Sequence, residues 1–264
     1  MFEIRSREGL PIRGDINAPQ HARALIVIVH GFKGFKNWGF FPWLADYLCD
    51  EAFTVVRFNM SRSGIGEDLD VFDRLDLFAG DTYSTQINDL LDVVGHAQSR
   101  FRGLPLFLLG HSRGGGVALL AARELEKLAG VVTWSSISHA DRWDEQTKQK
   151  WRAEGHLDIE NSRTRQMMRM STSILDDYEA KRGRLDILDS AKRLRVPLLS
   201  IHGANDESVP AEESRLITSR AHDSSLVIIE AASHTYNAIH PLVHVPRELE
   251  YAAALSAHFV SVYS

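Results

Sequence analysis

A mostly parallel β-sheet of about eight strands, with helices on both faces, is the architecture this sequence predicts. Three observations carry that expectation. Apolar runs of strand length recur along the chain with helical patterns between them, as in a sheet wound with helices. The inner runs, above all Ala24-Leu25-Ile26-Val27-Ile28-Val29, have no polar interruption, which suits strands buried on both faces. A chain of 264 residues is also long enough for one full-sized core.

Taken in order, Phe2–Arg7 and Pro11–Ile16 alternate apolar and polar side chains and read as an opening hairpin turned near Gly9. Ala24–Val29 is the first buried strand. Thr54–Phe58, Leu106–Leu109, Val131–Trp134, Pro197–Ile201 and Leu226–Ile229 repeat its character. Asp81–Arg102 reads as an amphipathic helix, with Asp81 as its cap and Tyr83, Ile87, Leu90, Leu91 and Val94 at helical spacing. Val117–Leu128, Ala211–Ala221 and Glu248–Val262 fit three more helices. The stretch from Ser135 to Arg184 breaks this rhythm: it is charged and polar, with scattered Trp and Met and no buried strand. It reads as a small helical cap inserted over the carboxyl edge of the sheet, leaving residues 1–134 and 185–264 as the core.

Hydrophobic residues make up 44% and charged residues 25%, ordinary values for a soluble globular protein. The formal charge of -5 argues against nucleic acid or an anionic membrane as the main partner. The amino terminus has no apolar core of the kind a signal peptide needs, and the longest early apolar run is far too short to cross a bilayer. Cys49 is the sole cysteine, so an internal disulfide and a zinc-ribbon site are both excluded. A cytoplasmic location is the expectation these features give. The acidic run Glu67-Asp68-Leu69-Asp70 lacks the central glycine and alternating ligands of a calcium loop and reads as a solvated loop. Gly64-Ile65-Gly66 is followed by no helical pattern that would make a dinucleotide site. No metal or cofactor is expected.

The chemistry concentrates where Leu106–Leu109 runs into Gly110-His111-Ser112-Arg113-Gly114 and then a helix. A serine on a sharp strand-to-helix turn has its oxygen raised above the sheet edge, and glycines two residues either side let strand and helix approach. Such a serine needs a base, because its hydroxyl is hardly ionised near neutral pH. His234 is favoured: it follows the last buried strand in the small-residue loop Ala231-Ala232-Ser233, downstream of the serine. His240 and His244, flanking Pro241, are the alternatives. Asp206 leaves the sheet edge after Leu198–Ile201 and can hold the imidazole in the right tautomer, with Glu207 as its local rival. Donors for an oxyanion are expected from the backbone N–H of Arg113 and, in the turn His30-Gly31-Phe32-Lys33-Gly34, from that of Phe32. His30 reads as a structural brace of that turn. Phe35 and Trp38, just beyond it, are either helix core or the lining of an acyl pocket. Trp143 and Trp151 either meet an apolar group under the cap or form the insertion's own core.

The combination His30-Gly31-Phe32, Gly110-His111-Ser112-Arg113-Gly114, His202-Gly203 with Asp206, Val209 and Pro210, and Ser233-His234 resembles the α/β-hydrolase superfamily over nearly the whole chain. Compact size and an insertion after the sixth strand are similar to bacterial carboxylesterases of the cinnamoyl and feruloyl esterase kind. Serine aminopeptidase-like and monoacylglycerol lipase-like hydrolases share the arrangement. The resemblance implies a serine esterase acting on a small-molecule ester through Ser112, His234 and Asp206. Amide or peptide, thioester and carbon–carbon bonds stay open as alternatives, since the same triad serves them. A non-catalytic binding protein on this fold is the third reading; it would be expected to have lost a triad member, and this sequence keeps all three.

Overall fold

The computed structural model describes residues 1–161 and 164–264. The eight expected strands form one sheet. β1 (Phe2–Arg5) and β2 (Pro11–Asn17) are its antiparallel edge, and β3 (Ala24–Val29), β4 (Phe53–Asn59), β5 (Leu106–His111) and β6 (Gly130–Trp134) continue it in parallel. Within the segment expected to be a helical cap, β7 (His156–Asn161) and β8 (Gln166–Ser171) stand apart as an antiparallel pair. β9 (Leu198–Gly203) and β10 (Ser224–Ile229) complete the large sheet, whose order is β1-β2-β4-β3-β5-β6-β9-β10.

On one face α1 (Phe41–Asp50) packs against β4 and touches α9 (Arg247–Tyr263), which lies over β6 and β9. The short α2 (Leu75–Ala79) meets β8, and on the other face lie α3 (Tyr83–Arg100), α4 (Arg113–Ala122), α7 (Ile187–Arg193) and α8 (Ala211–Arg220). The buried apolar residues of both layers form one continuous core in which β3 is inaccessible along its length. No described helix is long and apolar enough to cross a membrane.

The order places β4 and β5 on opposite sides of β3, so the chain changes direction there. The carboxyl ends of β3 and β5 therefore diverge into loops on either side of a crevice, the position where open α/β sheets bind ligands. Val29 is in register with Gly110, and His111 with Trp134, so the candidate oxyanion turn and Ser112 leave the sheet side by side.

Two expectations need correction. The insertion is not wholly helical. It has α5 (Glu145–Glu154) and α6 (Ser173–Ala180), but the β7–β8 hairpin lies between them. Its strands alternate around Met168 and Met170, which are buried, while Met167 is exposed, a half-buried pattern weaker than that of the fully buried strands. Residues 162 and 163 of that insertion lie outside the described residues. The second correction concerns α3, which is capped by Thr82, whose hydroxyl accepts the N–H of Thr85 at 3.1 Å, and not by Asp81.

Asp81 lies inside the protein instead, as does Asp89 on α3, whose Oδ2 accepts the N–H of Ser61 at 2.7 Å. Burial pushes both carboxyls up to about 7, against opposing stabilisation from Arg113 at Asp81 and from Ser61 at Asp89. A carboxyl raised in the folded state binds a proton that the unfolded chain has already released. Its contribution to stability is therefore full at acid pH and is lost as pH rises toward and through 7. Asp89→Asn is expected to stabilise the protein by about 1–3 kcal/mol in mildly alkaline buffer and to be nearly neutral at acid pH. Paired thermal melts check this; an equal effect at both pH values would show that Asp89 does not ionise in that range.

Candidate active site

β5 ends in a turn that forces Ser112 to φ 57° and ψ −123°, a left-handed conformation costly for a residue with a side chain. The Ser112 N–H donates to Trp134 O at 2.8 Å, and α4 begins at the next residue. Glycine is required on both sides. A Cβ on Gly114 would stand 2.2 Å from Val29 O, and one on Gly110 would stand 2.3 Å from Gly114 O. As the first residue of α4, Arg113 presents a backbone N–H that the helix itself cannot satisfy.

The opposite wall is the turn after β3. A Cβ on Gly31 would come 2.9 Å from Ser112 Cβ and 3.4 Å from its Oγ, so this backbone lies directly against the serine. His30 braces the turn as expected. Its Nε2 accepts the Met60 N–H at 3.3 Å, which leaves Nδ1 to donate to Gly31 O at 2.9 Å. Burial lowers its pKa to about 4, so the ring is neutral in that role.

Asp206 follows β9 and His234 follows β10. His234 Nδ1 lies 2.7 Å from Asp206 Oδ2, while Asp206 Oδ1 accepts the N–H groups of Ser208 and Val209, each at 2.9 Å. The carboxylate is sealed from solvent, and the imidazole keeps 20% exposure. Burial alone would raise the Asp206 carboxyl. Donors from His202, His234 and the backbone outweigh it and hold the group below the usual carboxylate range. With Nδ1 committed to Asp206, the opposite edge of the ring, Nε2, is the one free to serve the cavity. Glu207 stands exposed at the rim of the same cavity.

A cavity of about 960 Å³ brings these groups together. Ser112, His234, Phe32, Arg113, Trp38 and Trp143 all line it. Two other expected lining residues belong elsewhere. Phe35 is buried and makes edge contacts with Phe72 and His240. Trp151 is fully buried, donates its indole N–H to Met170 O at 3.1 Å and carries Trp143 on its ring, so it is the insertion's core. His240 and His244, the alternative bases, line a separate groove beside Pro42 and Trp43. There His240 Nδ1 accepts the Gly39 N–H at 2.9 Å.

Sequence reasoning missed three contributors. Phe41, the first residue of α1, reaches the cavity wall. His111, at the variable position of the serine motif, has its Nε2 2.9 Å from His234 O and its ring 4.8 Å from the His234 ring. Because a carbonyl only accepts, that nitrogen carries the proton. Burial, with His234 nearby, lowers the His111 pKa to about 3 and keeps it neutral. The Arg113 guanidinium folds back 3.9 Å over the Phe32 ring, tying together the two residues expected to supply oxyanion donors. A motif pattern assigns no side chain to those positions, so nothing in it pointed to either contact.

The sequence family described as "Serine aminopeptidase, S33" matches residues 20–151. No protein of curated function matches the sequence significantly. Among solved structures, Est1E from Butyrivibrio proteoclasticus with ferulic acid bound is similar at a TM-score of 0.79 and 19% identity, covering 100% of this chain and 99% of that one. The monoacylglycerol lipase of Paleococcus ferrophilus is similar at 0.69 and 17%, covering 96% and 99%. Mouse alpha/beta hydrolase domain-containing protein 10 is similar at 0.74 and 16%, covering 100% and 99%. At these identities the likeness is one of fold. With the family matched over 132 of its 264 residues and the sheet order described above, the chain belongs to the serine aminopeptidase S33 family of α/β-hydrolases.

Proposed function

We propose that the protein is a serine carboxylesterase acting on small to medium esters through Ser112, His234 and Asp206. The observation that carries this reading is the Asp206–His234 pair, 2.7 Å apart, opening on the cavity that Ser112 and the Gly31–Phe32 turn also line. Ser112 Oγ attacks the ester carbonyl carbon as His234 Nε2 takes its proton. The carbonyl oxygen becomes an oxyanion, held by the N–H groups of Phe32 and Arg113. Collapse expels the alcohol, which leaves with the proton from His234, and a water activated by the same ring cleaves the acyl-serine.

The family's description favours one second reading, hydrolysis of an aminoacyl amide. A site for a free amino group calls for carboxylates facing it. Among the described lining residues Glu207 is the one carboxylate, beside Lys33, Arg113 and Arg142, the last already paired with Glu213 at 2.7 Å. That balance, and the ester-related names of two structural relatives, support the ester. Turnover of a short-chain nitrophenyl ester compared with an aminoacyl anilide tests the choice, and a preference for the anilide would overturn it. Residues 135–184 serve in this reading as a cap over the site, and the lone Cys49 suits a reducing, cytoplasmic setting.

The two cap tryptophans are expected to separate in their effects. Trp143→Ala raises KM for an aromatic ester several-fold with little change in melting temperature. Trp151→Ala destabilises the insertion by about 3–5 kcal/mol. Steady-state kinetics and thermal melts on the two variants check the division.

A further inference from the structure

We infer that His202 is a positioning residue for the Asp206 carboxylate, its ring held in place by a chain of buried hydroxyls that ends at Nδ1. The inference rests on the reading of Asp206 as the acid that orients His234. It starts from a feature of β9 that the fold does not require. Ser200 and His202 point to one face of this buried strand, where Thr133 of β6 and Ser214 of α8 meet them, and all four residues are inaccessible to solvent. An interior position costs a hydroxyl or imidazole about 1–3 kcal/mol unless its hydrogen bonds are made, and an apolar side chain would fill it without that demand.

Here the bonds are made, and they run in one direction. The Thr133 hydroxyl donates to Ser200 Oγ at 2.9 Å, and the Ser200 hydroxyl donates to Ser214 Oγ at 3.0 Å. Ser214 Oγ lies 2.7 Å from His202 Nδ1. On the other edge of that ring, Nε2 faces two acceptors, Val209 O at 2.8 Å and Asp206 Oδ2 at 3.2 Å. Two acceptors at Nε2 put the ring proton there, which leaves Nδ1 to accept from Ser214. Each donor thus points toward the carboxylate, and such chains strengthen as they lengthen.

Asp206 Oδ2 in consequence faces two imidazoles, His234 on the cavity side and His202 on the core side. Oδ1 is held by two backbone N–H groups. With four donors around it the carboxylate cannot turn away when His234 accepts a proton, so the imidazolium forms against a fixed charge. Besides His202, the titratable groups around the pair among the described residues include His111, whose ring lies against His234, buried Tyr236, whose hydroxyl donates to Ile201 O at 3.0 Å, and Glu207 at the cavity rim.

The test is the rate at which a fluorophosphonate labels Ser112, measured across pH for the wild type and for His202→Leu, His202→Gln and Ser214→Ala. Labelling is expected to slow roughly ten- to a hundredfold in His202→Leu. Gln, which offers an acceptor and a donor on one side chain, is expected to stay within roughly threefold of wild type. The acidic limb of the Leu profile should move to higher pH, because a carboxylate relieved of one donor binds the imidazolium more strongly. Wild-type rates in His202→Leu, or equal losses in Leu and Gln with an unmoved limb, would overturn the inference and leave His202 as packing. Should the Leu protein not fold, Ser214→Ala decides: it keeps the imidazole and removes the hydroxyl that holds the ring's Nδ1 edge in place, so slower labelling supports the inference and an unchanged rate overturns it. Labelling needs the activated serine and no cognate substrate. The same rates therefore decide the role of His202 even where nitrophenyl esters are not turned over, the outcome that sinks the ester reading alone.

Discussion

Ser112→Ala is expected to lower kcat for a nitrophenyl ester by about four to six orders of magnitude, leaving only what the oxyanion donors and binding supply without a nucleophile. KM should change little, because the hydroxyl contributes to the transition state far more than to the bound ester. The same position offers a second readout that does not depend on activity. Ser112 sits at φ 57°, where a side chain strains the backbone by about 1–3 kcal/mol. Alanine keeps that strain and glycine relieves it, so Ser112→Gly should melt higher than Ser112→Ala although both are inactive. Melts of the two variants, beside ester turnover, test the turn geometry and the chemistry separately. A Ser112→Ala protein within tenfold of wild-type turnover would remove the serine from the reaction.

Asp206→Asn is expected to cost about 10⁴ in kcat, the scale seen when an orienting acid becomes an amide and the imidazole settles in the wrong tautomer. The variant should also lose stability, in a pH-dependent way. Because donors hold the Asp206 carboxyl below its unfolded range, the ion stabilises the fold at neutral pH and down to the ordinary carboxylate range near 4. Below that the unfolded chain takes up a proton that the folded protein refuses, and the contribution falls away. Asn at this position should thus destabilise more at neutral pH than at strongly acid pH. Urea titrations at the two pH values read the difference. An equal loss at both would mean that Asp206 makes no charge-dependent contribution to stability.

Much of this was legible in the sequence, for identifiable reasons. The inner strands of the large sheet could be read because strands buried on both faces have no polar interruption, as in Ala24–Val29, and the opening hairpin because its side chains alternate. The β7–β8 hairpin could not, because half its positions face water and its inward apolar set is only Leu157, Ile159, Met168 and Met170. The start of α4 was displaced for a different reason. Gly114, Gly115 and Gly116 are poor helix formers, so the pattern began at Val117, yet the helix includes them from Arg113 onward. Glycine is needed there because β3 passes so close that a Cβ on Gly114 would meet Val29 O at 2.2 Å. Asp81 read as a helix cap because caps are chosen by residue type, and Thr82 offers the same chemistry one residue later.

The sequence by itself determined the winding of the sheet, the residue types at Ser112, Asp206 and His234, and their order along the chain. Those follow from local rules: apolar period, turn chemistry and the glycines a sharp turn demands. The sequence favoured His234 over His240, and tertiary structure carries His234 to Asp206 and His240 to Gly39. Tertiary structure alone decided that Trp143 rather than Trp151 faces the cavity, and that Arg113 stacks on Phe32. The buried hydroxyls behind His202 were invisible for the same reason. A hydrogen bond is defined by distance and direction between groups far apart in the chain, and residue type states only that each group can make one.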